Sequence, residues 1–274
     1  MPVEYEIRPA SRTRLNLAEL WTYRELLYFF IWRDIKIKYK QTVLGALWAV
    51  LQPFLLMLVF TVFFSRALGL SDASLPYPVF VYSGLMLWNI FSTGVANAGN
   101  SMVANANIIK KIYFPRILIP VSSVLASLVD FMMTFLLFVG ILIYYKVEIH
   151  WLNLAIGLPL SVLITLLATL GLGSLLSALN VKYRDFRYII PFFLQVLFFV
   201  SPVIYPLNRL PWNWLNQLMQ CNPLYGAIAI FRSAFDGSTP DAGICLISVT
   251  GALLLFITGL LYFRKTENYF ADLS

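Results

Sequence analysis

Long apolar stretches, separated by short polar or basic segments, dominate the chain. A membrane-spanning helix needs about 20 mostly apolar residues. The stretches of that kind run over 43–68, 79–98, 117–145, 152–179, 188–205 and 242–263. The pattern therefore predicts an all-α integral membrane protein with six transmembrane helices.

The segment before the first span predicts a different kind of helix. Apolar residues recur at helical spacing through 16–40, while Arg33, Lys36 and Lys40 share another face. A basic amphipathic helix with aromatic anchors lies in the membrane interface. We therefore divide the chain into a cytoplasmic N-terminal segment, 1–42, and a transmembrane domain, 43–274. Attraction to lipid headgroups alone would also explain the basic face without any partner.

The connection between the fifth and sixth spans, 206–241, is long and rich in proline yet still apolar. Each of its two apolar halves is too short to cross a membrane, and the break falls at Asn222 and Pro223. This favours a re-entrant or interfacial helical hairpin on the outer side. The alternative is an ordinary outer loop whose Trp212 and Trp214 sit in the interfacial aromatic belt.

Composition and charge exclude a soluble domain and a nucleic-acid-binding protein. The 274 residues are 60% hydrophobic and 12% charged, and the net charge is +7. The basic residues form short patches between apolar spans, as the positive-inside rule requires. Of the 20 Lys and Arg residues, all but Arg66, Lys146, Arg209 and Arg232 fall on one side of the predicted topology. Both termini are therefore predicted to be cytoplasmic, in a multi-pass protein of the cytoplasmic (inner) membrane.

Residues capable of catalysis or metal binding are scarce. The chain has no phosphate-binding G-x-x-x-x-G-K-[ST] motif and no cluster of acidic residues, so we expect neither a cofactor nor an enzymatic activity on it. Cys221 and Cys245 are too far apart in sequence to form a metal site, and an occasional disulfide between them stays open.

Asp130 lies near the middle of the third span. An acid inside the membrane is costly, so it is by default a functional hypothesis. It could relay protons or pair with a polar residue such as Asn97, Asn100 or a serine on a neighbouring helix. Without an intramembrane base in view, structural pairing is favoured.

Aromatic residues are dense in the first and fifth spans. They either pack in the core and against lipid or line a conduit, because aromatic faces stack on the apolar faces of sugar rings. The candidates for a conduit lining are Trp48, Phe54, Phe192, Phe193, Phe198, Phe199 and Tyr205.

Several blocks resemble permease subunits of ABC transporters that export polysaccharides such as O-antigen, capsule and teichoic acid. They are RDIKIKYKQTVLGALWAVLQP at 33–53, NIIKKIYFPRILIPVSSV at 107–124, NVKYRDFRYIIPFFLQVLFFVSPVIYPL at 180–207 and NPLYGAIAIFR at 222–232. These blocks cover most of the chain and keep the order found in that family.

The resemblance implies a homodimer that forms the membrane pore, with two copies of a separate ABC ATPase that bind ATP and Mg²⁺. The substrate would be a lipid-linked polysaccharide. The interfacial helix and the loop 105–115 would contact the ATPase, as would the loop 182–187. The implied contact residues are Asn107, Lys110, Lys111, Tyr113, Phe114, Arg184 and Asp185. The outer hairpin would act as a gate, with Trp212, Trp214, Asn222, Pro223 and Arg232 as its candidate residues.

Two other kinds of transporter share parts of this pattern. An ABC exporter of a drug, haem or lipid has the same topology, whereas the quoted blocks favour polysaccharide. A proton-coupled secondary transporter would use Asp130 as its relay but would also need an internal repeat, and none is visible.

Overall fold

The computed structural model describes residues 17–40, 45–67, 75–205 and 213–267, which are almost entirely helical. Two short helices, α1 (Leu17–Thr22) and α2 (Arg24–Tyr39), come first. The longer elements are α3 (Leu47–Phe60, continued by a π-helix over Thr61–Ala67), α4 (Tyr77–Ala104), α6 (Leu118–Tyr145), α7 (Trp151–Lys182) and α11 (Ala242–Glu267). The shorter ones are α5 (Ala106–Ile109), α8 (Phe186–Phe199), α9 (Asn213–Gln220) and α10 (Pro223–Asp236).

Five of the described helices are long and apolar enough to cross a membrane. They are Leu47–Phe64, which includes α3, and the four helices α4, α6, α7 and α11. The prediction of an all-α membrane protein is therefore confirmed at this level.

The fifth predicted span is shorter in the structure than in the sequence pattern. Helix α8 has 14 residues, which at 1.5 Å per residue is about 21 Å, against a hydrocarbon core of about 30 Å. The helix ends because Ser201–Tyr205 fold into turns, with Val203 and Ile204 fully buried. Continuous apolar sequence concealed this break, since the turn residues are themselves hydrophobic.

Helices α4 and α7 form the centre of the bundle. Helix α4 packs against α6 and α7, and α7 also packs against α10 and α11. The approach of α7 to α11 is close enough to need glycine on both helices, because a Cβ atom on Gly259 would lie 2.0 Å from the carbonyl oxygen of Gly171. Small residues thus let the backbones meet without intervening side chains.

Helix α2 lies along the start of α6 instead of resting alone on the membrane surface. The apolar face predicted for this segment packs on protein, and Phe30 at its centre is 2% exposed. Residues one turn apart on α2 meet α6 at positions further along it: Asp34 accepts a hydrogen bond from Ser122, and Lys38 pairs with Asp130. The two helices therefore run side by side in the same direction.

Candidate functional site

The residues predicted to contact an ATPase gather at one end of the bundle, which we call the basic end. It consists of α2, the loop 105–117, the end of α7, the start of α8 and the end of α11. A second hydrophobic cluster holds these elements together, apart from α8, and its buried members are Phe30, Met102, Ile109, Phe114, Ile117, Leu118, Ile119, Ala178, Leu260 and Phe263. The basic end therefore has its own core, separate from the main core of the bundle.

The loop between α4 and α6 is fixed from behind at two points. The Phe114 ring packs edge-on against the Phe30 ring, with centroids 5.5 Å apart. The backbone N–H of Arg116 donates to Glu267 Oε1 at 3.2 Å, and its guanidinium donates to the Glu267 carbonyl oxygen at the end of α11. Through these contacts the loop is held to α2 and α11.

The other side of this loop faces outward. Tyr113 is 82% exposed, and Asn107, Lys110 and Lys111 are exposed as well. A shallow hollow of about 240 Å³ lies among Lys110, Lys111, Tyr113 and neighbouring loop residues. Neighbours in sequence thus have opposite placements: Tyr113 points out, whereas Phe114, predicted with it as a contact residue, is 4% exposed.

The second predicted contact loop lies at the same end. Arg184 and Asp185 are both exposed where α7 gives way to α8. Asn180, just before them, is buried and donates to the Gly99 carbonyl oxygen at 2.9 Å and to Asn100 Oδ1 at 3.1 Å. These bonds tie the end of α7 to the end of α4, so the two predicted contact loops share one rigid base.

Asp130 is paired in the structure, but with α2 and not with the α4 asparagines considered above. The carboxylate of Asp130 is 3% exposed, forms an ion pair with Lys38 and accepts a hydrogen bond from the Tyr39 hydroxyl. Burial and the bond to Asp130 raise the pKa of Tyr39 above its ordinary value, so the phenol remains a donor. The structure thus shows the pairing that the sequence analysis favoured for Asp130, with a different helix as its partner.

Of the basic residues predicted on the interfacial helix, Lys36 and Lys40 are exposed. Arg33 is partly buried, bonded to Asp34 at 2.7 Å and stacked on the Phe30 ring at 4.9 Å. Lys38 was missed because sequence spacing alone does not show that α2 approaches α6.

The predicted conduit aromatics fall into two groups. Trp48, Phe192, Phe193 and Phe199 have their side chains exposed on the outer faces of α3 and α8. The remaining three make internal contacts: Phe54 packs against the main core, Phe198 lies between Phe60 and Trp88, and the Tyr205 hydroxyl donates to the Phe199 carbonyl oxygen.

At the opposite end of the bundle, Asn222 and Pro223 start α10 as an N-cap and a first helical residue. Asn222 Oδ1 accepts from the Leu224 N–H at 3.1 Å, and its amide nitrogen donates to Ser201 Oγ at 2.9 Å. Asn222 thus joins α10 to the turns that follow α8. Trp212 lies outside the described residues, and so does the side chain of Trp214 in α9.

Arg232, predicted as a residue of an outer gate, is 7% exposed. Its guanidinium donates to the carbonyl oxygens of Phe80 at 2.8 Å, Pro202 at 2.9 Å and Val203 at 3.1 Å, and to Ser83 Oγ at 3.2 Å. It also stacks on the Phe80 ring at 3.5 Å. The planar, five-donor guanidinium is suited to such a set of acceptors.

These contacts make the non-helical turn at 201–205 possible inside the bundle. Buried backbone carbonyls need hydrogen-bond partners. Arg232 supplies them at Pro202 and Val203, and the Tyr77 hydroxyl supplies one at Ile204 at 2.8 Å. Arg232 is therefore an internal clamp between α10, α4 and the turns after α8.

Within the described residues, no group of three or more His, Cys, Asp or Glu side chains could hold a metal ion. Cys221 and Cys245 are free thiols in the structure.

The chain matches a known family over most of its length. The family model described as ABC-2 type transporter matches residues 25–235. The O-antigen export system permease protein RfbA of Klebsiella pneumoniae is 28% identical over 265 residues, covering 96% of this chain and 98% of the relative. RfbA of Myxococcus xanthus is 29% identical, covering 92% of this chain and 97% of the relative. The polysialic acid transport protein KpsM of Escherichia coli is 23% identical, covering 86% of this chain and 91% of the relative. The chain therefore belongs to the ABC-2 type transporter membrane family.

Proposed function

We propose that this chain is the membrane-spanning subunit of an ATP-driven exporter of a lipid-linked polysaccharide. The observation that carries the proposal is the match over nearly the whole chain to relatives named as O-antigen and polysialic acid transport proteins. The geometry of the basic end supports it, because a loop that is exposed on one side and packed against the bundle on the other can transmit a displacement from a bound partner to the helices.

The partner in this proposal is an ABC ATPase, which binds ATP and Mg²⁺. Tyr113 and the adjacent lysines contact it directly, and Arg184 and Asp185 form the second contact. Phe114 does not touch the partner in this scheme; it fixes the loop to α2 through Phe30. In this scheme Tyr113 receives the force from the ATPase, and Phe114 transmits it to α2.

In the membrane, the basic end faces the cytoplasm, in accordance with the positive-inside rule. The fifth crossing consists of α8 together with the turns at 201–205, and α9 and α10 form a re-entrant hairpin on the outer side. This gives six crossings with both termini cytoplasmic. Two copies of the chain form the conduit, and the exposed aromatics of α3 and α8 line it.

Transport begins when ATP closes the partner dimer and displaces the loop 105–115. The displacement passes to α2 through Phe30 and to α11 through Glu267. Helix α6 moves with α2, because Lys38 and Tyr39 hold Asp130. The conduit then opens, and the polysaccharide is threaded outward.

The test combines purification with a matched pair of variants. The chain is purified from its native membrane in mild detergent, and co-purifying proteins are identified by mass spectrometry. Tyr113→Ala is compared with Tyr144→Ala, because Tyr144 is 80% exposed at the opposite end of the bundle. We expect a stoichiometric ABC ATPase, loss of polysaccharide export with Tyr113→Ala, and unchanged export with Tyr144→Ala. A chain that purifies without an ATPase, or equal export by both variants, would overturn the proposal.

A further inference from the structure

Helix α4 carries a row of uncharged polar residues that runs from its middle towards the basic end. Asn89, Thr93, Asn97 and Asn100 are spaced by four, four and three residues, which places them within about 80° of arc on an α-helix. We call this row the polar stripe. Helix α4 is otherwise mostly apolar, and it is the most buried of the five spanning helices.

Most of the stripe lies on the part of α4 that other helices leave uncovered, and Asn100 at its end accepts a hydrogen bond from Asn180 of α7. Asn97 is exposed, and Asn89, Thr93 and Asn100 are partly exposed. The Thr93 hydroxyl donates to the Asn89 carbonyl oxygen at 2.6 Å, and the Asn100 amide donates to the Ala96 carbonyl oxygen at 2.9 Å. The side-chain amides of Asn89 and Asn97, in contrast, have no hydrogen bond to the described part of the chain.

Both of these amides lie within α4, a helix long and apolar enough to cross a membrane. Asn97 is seven residues and Asn89 fifteen residues before Ala104, the last residue of α4, which corresponds to about 10 and 22 Å along the helix axis. A polar amide that faces hydrocarbon without a hydrogen-bond partner is costly. The stripe therefore requires polar surroundings that the isolated chain does not supply.

Aromatic residues border the stripe on one side. Helix α8 packs beside it, since a Cβ atom on Gly99 would lie 2.7 Å from Ile190 Cδ1, and Phe198 packs edge-on against Trp88 at 5.3 Å. On the outer face of α8, Phe192 is 69% exposed. The Trp88 and Phe198 rings thus lie beside the Asn89 end of the stripe, whereas Phe192, two residues from the α4-facing Ile190, lies on another face of α8.

We infer that the polar stripe is part of the conduit wall and binds the hydroxyl groups of the transported chain. This inference rests on the proposed function and adds to it a recognition surface. An amide both donates and accepts hydrogen bonds, as a hydroxyl does, and neighbouring aromatic rings stack on sugar faces. The stripe carries no charge, so it offers no ion pair that would hold a sliding chain at one position.

The test measures how fast single introduced cysteines react with a water-soluble reagent, and it suits this chain because only two native cysteines have to be removed. Cys221→Ser and Cys245→Ser together remove both native thiols. Single cysteines are then introduced as Asn97→Cys and Asn89→Cys, with Leu261→Cys and Leu254→Cys as controls. Leu261 and Leu254 are 55% and 63% exposed on α11 and lie at similar distances from the basic end. The exporter is reconstituted with its ATPase in vesicles, and a membrane-impermeant methanethiosulfonate is added.

We expect the cysteines at 97 and 89 to react at least about tenfold faster than their controls, because the reactive thiolate forms in water and not in hydrocarbon. Modification at 97 should then block export, whereas modification of the controls should leave it unchanged. Asn97→Gln should preserve more export than Asn97→Leu, since only the former keeps an amide.

Two results would overturn the inference. A cysteine at 97 that reacts as slowly as one at 261 would mean that the stripe faces lipid. A spontaneous disulfide between two copies at 97, with no access for the reagent, would mean that the stripe is a contact between protomers.

The parent without native cysteines is assayed for export first. If it exports and the cysteine at 97 is protected, the stripe is excluded from the conduit while the proposed function stands. If this parent exports no polysaccharide but the cysteine at 97 reacts, the proposed function fails, whereas the conclusion that the stripe faces water stands.

Discussion

Replacing Phe114 by alanine should destabilise the protein, whereas the same change at Tyr113 should not. Phe114 is 4% exposed and packs on Phe30, while Tyr113 is 82% exposed. Truncating a buried Phe to Ala costs about 3–5 kcal/mol, and a surface substitution changes stability by about 0.5 kcal/mol or less. The measurement is thermal unfolding of each purified variant in the same detergent.

A double-mutant cycle isolates the ring contact from the general loss of packing. Phe30→Leu, Phe114→Leu and the double variant are compared with the parent chain. We expect a coupling free energy of about 0.5–1.5 kcal/mol, the size typical of an aromatic pair. Zero coupling, or a melting temperature for Phe114→Ala equal to that of Tyr113→Ala, would refute the view that this pair fixes the loop to α2.

Three further substitutions test the packing described above, each by thermal unfolding. Gly259→Ala should cost about 1–3 kcal/mol through overpacking, whereas Gly140→Ala should cost almost nothing, because no atom lies within 4 Å of a Cβ placed there. Lys38→Met should lower the free energy of unfolding by about 1–3 kcal/mol, which is less than the loss expected for a fully buried ion pair, because the Lys38 side chain is 42% exposed. Its control, Lys36→Met, changes an exposed residue and should alter the free energy of unfolding by no more than about 0.5 kcal/mol. Arg232→Lys should cost about 2 kcal/mol or more, since an ammonium group cannot reach all the acceptors of the planar guanidinium, and protease cleavage at 201–205 should become faster.

Much of the fold could be predicted because apolar length is a direct signal of a membrane span. Four long helices and α3 occur where the pattern placed them. The face of α2 that packs on the second cluster was also visible as a helical repeat of apolar residues. The end of α8 could not be predicted, because Val200, Val203 and Ile204 are apolar residues that extend the apolar pattern although they lie outside the helix.

The buried charges could not be located from the sequence. Arg232 was predicted as a residue of an outer gate, yet the fold buries it and surrounds it with carbonyl groups. Asp130 was recognised as unusual, but its partner Lys38 is 92 residues away in sequence. Pairings of this kind depend on how helices approach one another, which local periodicity does not encode. The outward and inward placements of Tyr113 and Phe114 were hidden for the same reason.

The pairing of Asp130 with α2 has a consequence for the biogenesis of the protein. A lone aspartate at the centre of a span opposes its insertion by about 2.5–3.5 kcal/mol. Because α2 is synthesised before α6, its lysine and tyrosine are already at the membrane when Asp130 emerges from the ribosome. We therefore expect α2 to offset this cost when α6 inserts, and its removal to leave α6 with an unmatched acid in the bilayer.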